Sequence, residues 1–413
     1  MQADTNPSEK GGPGRAASSP TALLFAARAL RDFGDGFAAV LLPVYLLALG
    51  CDAFQVGVLA TVSLFGSALL TLVVGMLGSR FDHRPLLLGA ACLAIATGVA
   101  FAVVHDFALL LVVAFAGTIN PSGGSASVFT PLEHAVLARE AQAADRTRTF
   151  ARYSLAGALA GAVGSLAAAA PDLLTALGVE RLAALKAMFV FYAALALVGG
   201  AIYARLPRRP PPAATGPAVG LGPSRGIVLK LAALFSLDSF GGGFVVQSLL
   251  ALWLFERFEL SLSAAAGFFF WSGVLAAFSF PVAAWIARRI GLINTMVYTH
   301  IPANLALMAA PFVADLWLVL ALLLFRAALS QMDVPTRSSY VMAVVTEAER
   351  AAAASVTAVP RSLATAASPA LAGALFEAGH VALPFVLGGG LKLAYDLLLL
   401  AQFRHHKPPE ERG

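Results

Sequence analysis

Charge and cysteine are what this chain has least of. Of its 413 residues only 12% are Asp, Glu, Lys or Arg, roughly half the share of a soluble domain, while 59% are hydrophobic. So few charges cannot cover a water-soluble surface, and with a mean hydropathy of +0.80 the chain reads as a polytopic membrane protein. The two cysteines, Cys51 and Cys92, exclude a disulfide framework and zinc-type spacing. The seven histidines are scattered apart from His405 and His406, so no metal site is expected. There is no phosphate-cradling glycine loop ending in Lys and Ser/Thr, no His/Glu metal motif and no serine nucleophile elbow; these absences argue against ATP as the energy source and against an enzyme, and no cofactor is implied. The net charge of +5 would suit nucleic acid, but the basic residues fall in short loops between apolar runs and form no basic face. Residues 1–20 are polar and rich in Pro, Gly and Ser, and read as a disordered cytoplasmic tail rather than a cleaved signal peptide.

What is there is a series of apolar runs bounded by charge, Gly or Pro. They predict twelve helical spans, at roughly 22–49, 54–78, 85–104, 107–136, 148–170, 182–204, 227–254, 262–287, 291–312, 316–345, 351–376 and 381–402. The Pro-rich stretch 207–226 divides them as a loose cytoplasmic linker, leaving six-helix bundles at 21–206 and 227–404 and a short cytoplasmic tail at 405–413. Lys and Arg collect in alternate loops, which puts both termini on the cytoplasmic side of the cell (inner) membrane.

The first span carries Arg28, Arg31, Asp32 and Asp35 in the middle of an apolar segment. Spacings of three, four and seven place them on one helical face, where Arg28 can pair with Asp32 and Arg31 with Asp35. Ionisable groups at that depth face protein or water and are candidates for function, here proton coupling. The halves also repeat one another: Phe33-Gly34-Asp35-Gly36-Phe37 matches Phe240-Gly241-Gly242-Gly243-Phe244, and Arg152-Tyr153-Ser154-Leu155 resembles Arg361-Ser362-Leu363. Asp35 therefore has Gly242 as its counterpart.

The fourth span, from Asp106 to Arg139, would measure roughly 50 Å as one helix, and Asn120-Pro121-Ser122-Gly123-Gly124 predicts a break within it. Asp333-Val334-Pro335-Thr336-Arg337 occupies the corresponding place in the tenth span. Paired interruptions point to a binding site at the repeat interface. Asn120, Asp333 and Arg337 are thus candidate substrate-binding residues, with Glu133, Asp238, Arg361, Tyr45 and Gln247 approaching the same region. Lys392 and Asp396, four apart, read as a local pair outside the site.

At this point the chain resembles the major facilitator superfamily. The most specific sign is the loop Gly75-Met76-Leu77-Gly78-Ser79-Arg80-Phe81-Asp82-His83-Arg84, with Gly75, Arg80, His83 and Arg84 in the family's places. Ser79 stands where the family has Asp, and Asp82 where it has Gly. The resemblance implies two six-helix bundles rocking about a central cavity, and a gating role for Gly75, Arg80, Asp82 and Arg84, joined by Arg152 at the inner rim. Gly157, Gly161 and Gly164 in the fifth span resemble the glycine-rich segment of family antiporters, without its proline. The expectation is an all-α, monomeric carrier in the lipid bilayer. It exports a small amphipathic molecule in exchange for protons; the alternatives are proton-coupled uptake of an organic anion and a non-transporting receptor.

Overall fold

The computed structural model describes residues 19–77, 81–123, 127–140, 146–208 and 221–404. These residues form helices and connecting turns, with no strand among them. In the first half run α1 (Pro20–Ala48), α2 (Ala53–Leu77), α3 (His83–Val103), α4 (Phe107–Ala116), α5 (Phe129–Glu140), α6 (Arg146–Ala167), α7 (Ala170–Ala176) and α8 (Arg181–Tyr203). In the second run α9 (Arg225–Gly243), α10 (Gln247–Phe258), α11 (Leu262–Ile290), α12 (Leu292–Ala309), α13 (Leu316–Ser330), α14 (Asp333–Val344), α15 (Arg350–Ala367), α16 (Pro369–Glu377) and α17 (Leu383–Phe403). Eight stretches of the described chain are long and apolar enough to cross a membrane. The protein is thus an all-α, multi-pass membrane protein.

Helix starts follow local chemistry. Ser19 caps α1 ahead of Pro20, and Asp82, Asp106, Ser261 and Asp315 cap α3, α4, α11 and α13 by accepting a backbone N–H two or three residues on. The break in the fourth span is wide: α4 stops at Ala116 and α5 resumes at Phe129. That in the tenth is one turn at Gln331-Met332. A break that the apolar pattern hides separates α9 from α10 at 244–246, although α1, bearing the matching Phe-Gly-Asp-Gly-Phe, runs through unbroken.

Close packing of α1 on α6 explains the glycines of the fifth span. A Cβ on Gly36 would stand 2.1 Å from the Gly161 carbonyl oxygen, and one on Gly164 would stand 2.0 Å from that of Phe33. Small residues let these backbones touch, the usual basis of helix packing in lipid. Gly157 makes room for an ion pair, because its Cβ would fall 2.3 Å from Asp32 Oδ2.

The halves meet through α2 with α15 and α16, α6 with α11, and α1 with α10. At the end of the bundle that carries Gly50 and Gly379, Gly57 and Gly373 bring α2 and α16 into backbone contact. There Ala370 N–H donates to Thr61 Oγ1 (2.9 Å) and Ala53 N–H to Glu377 Oε2 (3.3 Å), while Ser263 donates through its N–H (3.0 Å) and Oγ (2.9 Å) to Asp172 Oδ2. That end is sealed. Farther in, Ser248 N–H donates to the Pro121 carbonyl (3.0 Å), tying the α4–α5 break to the start of α10.

Candidate functional site: two buried charge clusters

Each half buries a set of ionisable groups. In the first, Arg28 Nε donates to Asp32 Oδ2 (2.6 Å), as the spacing predicts, and its guanidinium lies 4.7 Å over the Tyr153 ring. The expected Arg31–Asp35 pair does not form. Arg31 instead donates to Glu133 Oε2 (2.8 Å) and to Tyr203 Oη (3.3 Å), with Asp32 Oδ1 at 3.4 Å. Glu133 is fully buried and is held by hydroxyls of Tyr153 and Tyr203, so a braced carboxylate from α5 takes the guanidinium. Asp35, 4% exposed, accepts from Tyr192 Oη (3.3 Å), which also lies 3.2 Å from Thr118 Oγ1. Among the described residues no cation makes a hydrogen bond or ion pair with this buried carboxylate.

The second cluster is larger. Asp238 on α9 accepts from Lys392 Nζ (2.7 Å) and Arg337 Nη1 (3.4 Å), and His300 Nε2 stands 3.9 Å away. Arg337 also donates to Asp333 one turn before it and lies over the Phe235 ring. His300 Nδ1 meets Asp396 Oδ1 at 2.9 Å, and Asn304 Nδ2 donates to Asp396 Oδ2 (3.1 Å). Lys392 and Asp396 are therefore no local pair: each is claimed by a different helix, and both belong to the cluster. Two cations have no such answer. Among the described residues Arg326 (α13) and Arg361 (α15) make no hydrogen bond or ion pair, and Arg326 Nε is buried without a partner. Arg361 is half-buried and within electrostatic reach of Arg337, Asp333 and Asp238.

The other candidates take varied places. Tyr45 is fully buried in packing, its hydroxyl donating to the Phe101 carbonyl, so it is no cavity handle. Asn120 is buried and accepts from Ser122 N–H (3.0 Å) and Oγ (2.6 Å), shaping the α4–α5 break locally. Gln247, half-buried, lies with its amide against Gly123, whose φ of +62° favours glycine. Asp333 and Arg337 are 3% and 6% exposed, inside the second half rather than lining an open cavity. Gly75 is exposed with open space around it, and Arg152 is exposed on α6. Asp82 caps α3, and Arg84 donates to the Ala204 carbonyl, both within the first half. Arg80 and Gly124 lie outside the described residues. Sequence reasoning missed His300 and Asn304, whose signal is two polar residues four apart in an apolar span, and the tyrosines 153, 192 and 203 that brace the acids.

Helices that cross a membrane, with buried ion networks in each half and contacts joining the halves at one end, are the architecture of a transport protein that works by alternating access. The sequence profile of the Major Facilitator Superfamily matches residues 24–358, most of the chain, and the protein belongs to that family. Membership makes it a secondary active transporter of a small molecule, not an enzyme. It is 23% identical to the uncharacterized membrane protein YJR124C of Saccharomyces cerevisiae, over 94% of this chain and 95% of that one. Among solved structures, a bacterial homolog of the human lysosomal transporter Spinster superposes with a TM-score of 0.77 at 15% identity, covering 96% of this chain and 99% of that one. The nucleoside transporter NupG gives 0.70 at 15%, covering 93% and 99%. The human organic anion transporter MFSD10 gives 0.62 at 18%, covering 94% and 100%. At such identities these likenesses concern the fold.

Proposed function

We propose that the protein takes up a small organic anion together with protons, through a central path between two six-helix bundles of twelve spans in all. The observation that carries this reading is the pair Arg326 and Arg361. Both are half-buried, and a guanidinium partly withdrawn from water with no counter-charge in contact is destabilised; a bound carboxylate or similar anion supplies that charge through bidentate hydrogen bonds. Export of a small amphipathic molecule, expected from the sequence, fits bases that are answered by neighbouring acids. Arg28, Arg31, Arg337 and Lys392 are so answered, whereas Arg326 and Arg361 are not. The solved relatives named above include carriers of nucleosides and of organic anions, so the fold leaves the substrate open and the residues choose it.

Asp35 fits the coupling proton. It is the carboxylate of the first cluster without a cation, at mid-length of α1, and a proton there removes an uncompensated charge. With both termini cytoplasmic, the end joined through α2 and α16 faces outward. Asp82 and Arg84 then fall on the cytoplasmic side, and Arg152 is exposed on α6.

A thermal-shift screen on purified protein tests the reading, because a ligand that binds only the folded state raises the melting temperature. Carboxylates are expected to stabilise the wild type and to lose their effect in Arg361→Gln. Stabilisation by organic cations instead, lost in Asp35→Asn and kept in Arg361→Gln, would contradict uptake of an anion.

A further inference from the structure

We infer that the substrate is a monovalent anion carried with one proton, so that the loaded protein moves no net charge. This rests on the anion reading above and adds the substrate's charge and the coupling ratio. The first cluster holds two cations, Arg28 and Arg31, against three carboxylates, Asp32, Asp35 and Glu133. The second holds four cations, Arg326, Arg337, Arg361 and Lys392, against three carboxylates, Asp238, Asp333 and Asp396. One half is thus in deficit by one positive charge and the other in surplus by one. The imbalance falls on Asp35 in the first half and on Arg326 and Arg361 in the second.

Occupancy decides whether those charges are balanced. The two clusters of the empty protein sum to zero. An anion alone leaves them negative, a proton alone leaves them positive, and both together make each half neutral by itself. Charge in low dielectric is costly, so the half-loaded forms, which alone carry a net charge over the two clusters, are the ones that resist the rocking motion. A dianion with one proton would leave a negative charge behind.

The groups that face Asp35 support its role as the proton acceptor. They are Asp32, Arg28 and Arg31 on its own helix and Tyr192 on α8, with Glu133 and His134 of α5, Tyr153 of α6 and Tyr203 of α8 one step farther round the cluster. Packed against α1 as well, α2 has no ionisable residue, and those of α10 and α11 fall in their last turns. A cavity of about 30 Å³, lined mostly by apolar side chains, lies among Arg31, Gly34, Tyr192 and Tyr203 beside this cluster. The step is a simple proton addition, water-borne H⁺ bonding to a carboxylate oxygen of Asp35, and it needs no further reactant.

The test is proton uptake on anion binding. Acetate, benzoate, succinate and sulfate are added at equal ionic strength, with chloride as reference, to purified protein in weak buffer near pH 7. Melting temperature and dye-reported pH are read together. At least one of acetate and benzoate is expected to stabilise the wild type and to bring in about one proton per anion bound. Asp35→Asn keeps the stabilisation and loses the proton, Arg361→Gln loses both, and Arg361→Lys regains part of each. Each variant's melting in chloride reports its folding. A monoanion bound without proton uptake, or succinate preferred with a single proton, overturns the coupling ratio and leaves the anion site standing. No stabilisation by any of the four relative to chloride overturns the anion site itself.

Discussion

The two halves begin from the same repeat and end with opposite electrostatics. Where the first has Asp35 between two glycines, the second has Gly242, whose open Cα–H points towards Lys392 Cε and Nζ, 3.5 Å from where a Cβ would stand. The first half holds each guanidinium between a carboxylate and an aromatic ring and leaves one acid over. In the second, Asp238 is shared between Lys392 and Arg337, and Arg326 and Arg361 are left over. The division suggests that each half handles one transported charge, the proton in the first and the anion in the second.

The comparison breaks most sharply at Arg361. Arg361→Gln should weaken carboxylate binding by at least about thirtyfold, since truncating one partner of a buried charge pair costs about 2–5 kcal/mol. Arg152→Gln, at the exposed repeat position in the first half, should change affinity by less than about threefold. Thermal-shift titration measures both, and equal effects would erase the distinction between the halves. Next comes Asp35→Asn, which should leave the protein folded and able to exchange substrate but abolish accumulation driven by a pH gradient in proteoliposomes. Wild-type accumulation in that variant would remove the proton from the first half.

Gly242→Asp sharpens the same comparison by restoring to the second half the acid it lacks. A carboxylate beside Lys392 cancels the surplus, and anion affinity should fall by about tenfold, the worth of one charge several ångströms away in a partly polar site. Unchanged affinity would mean that the count of charges is irrelevant to binding. Gly36→Ala probes packing alone. Its Cβ meets backbone at 2.1 Å, so α1 must shift from α6, at a cost of about 1–3 kcal/mol and a melting temperature lower by about 2–8 °C.

The smallest effect is expected at Glu349, outside the membrane spans. Its carboxylate accepts from Gly222 N–H (2.5 Å), Ser224 Oγ (2.7 Å) and Thr346 Oγ1 (2.6 Å), tying the start of α9 to the turn before α15. Hydrogen bonds from Thr346 and Ser224, ahead of the opposing effect of burial, hold its pKa down at about 2 from the ordinary 4.5. A depressed carboxylate contributes stability above its unfolded pKa and loses it as pH falls through the folded one. Wild type should therefore melt above Glu349→Gln at pH 7, and the gap should close between about pH 4.5 and 2. A gap that persists at about pH 2 would show that the charge is not what the clamp uses.

Much of the fold was legible because the bilayer imposes it: apolar runs, charged turns and Asp or Ser caps mark helix ends that fall within a few residues of the structure's, as at Ala53–Leu77 and Leu383–Phe403. The wide interruption at Asn120-Pro121 was legible from proline chemistry, but the break at 244–246 was not, since no proline marks it. The clusters were half legible. Spacing along one helix finds Arg28–Asp32, yet it also suggested Arg31–Asp35 and Lys392–Asp396, which other helices overrule. Arg31 goes to Glu133, Lys392 to Asp238 and Asp396 to His300 and Asn304, partners 92 or more residues distant whose identity depends on packing that no local period encodes.

The most direct test of the division of charge is the voltage dependence of uptake. In proteoliposomes with valinomycin setting the potential, the monocarboxylate giving the largest thermal shift is offered under a fixed pH gradient. One uncompensated charge crossing 100 mV is worth about 2.3 kcal/mol, which changes the accumulation ratio about fiftyfold. The account predicts accumulation that follows the pH gradient and is unchanged between potentials of either sign; accumulation that tracks the potential by that factor would contradict it.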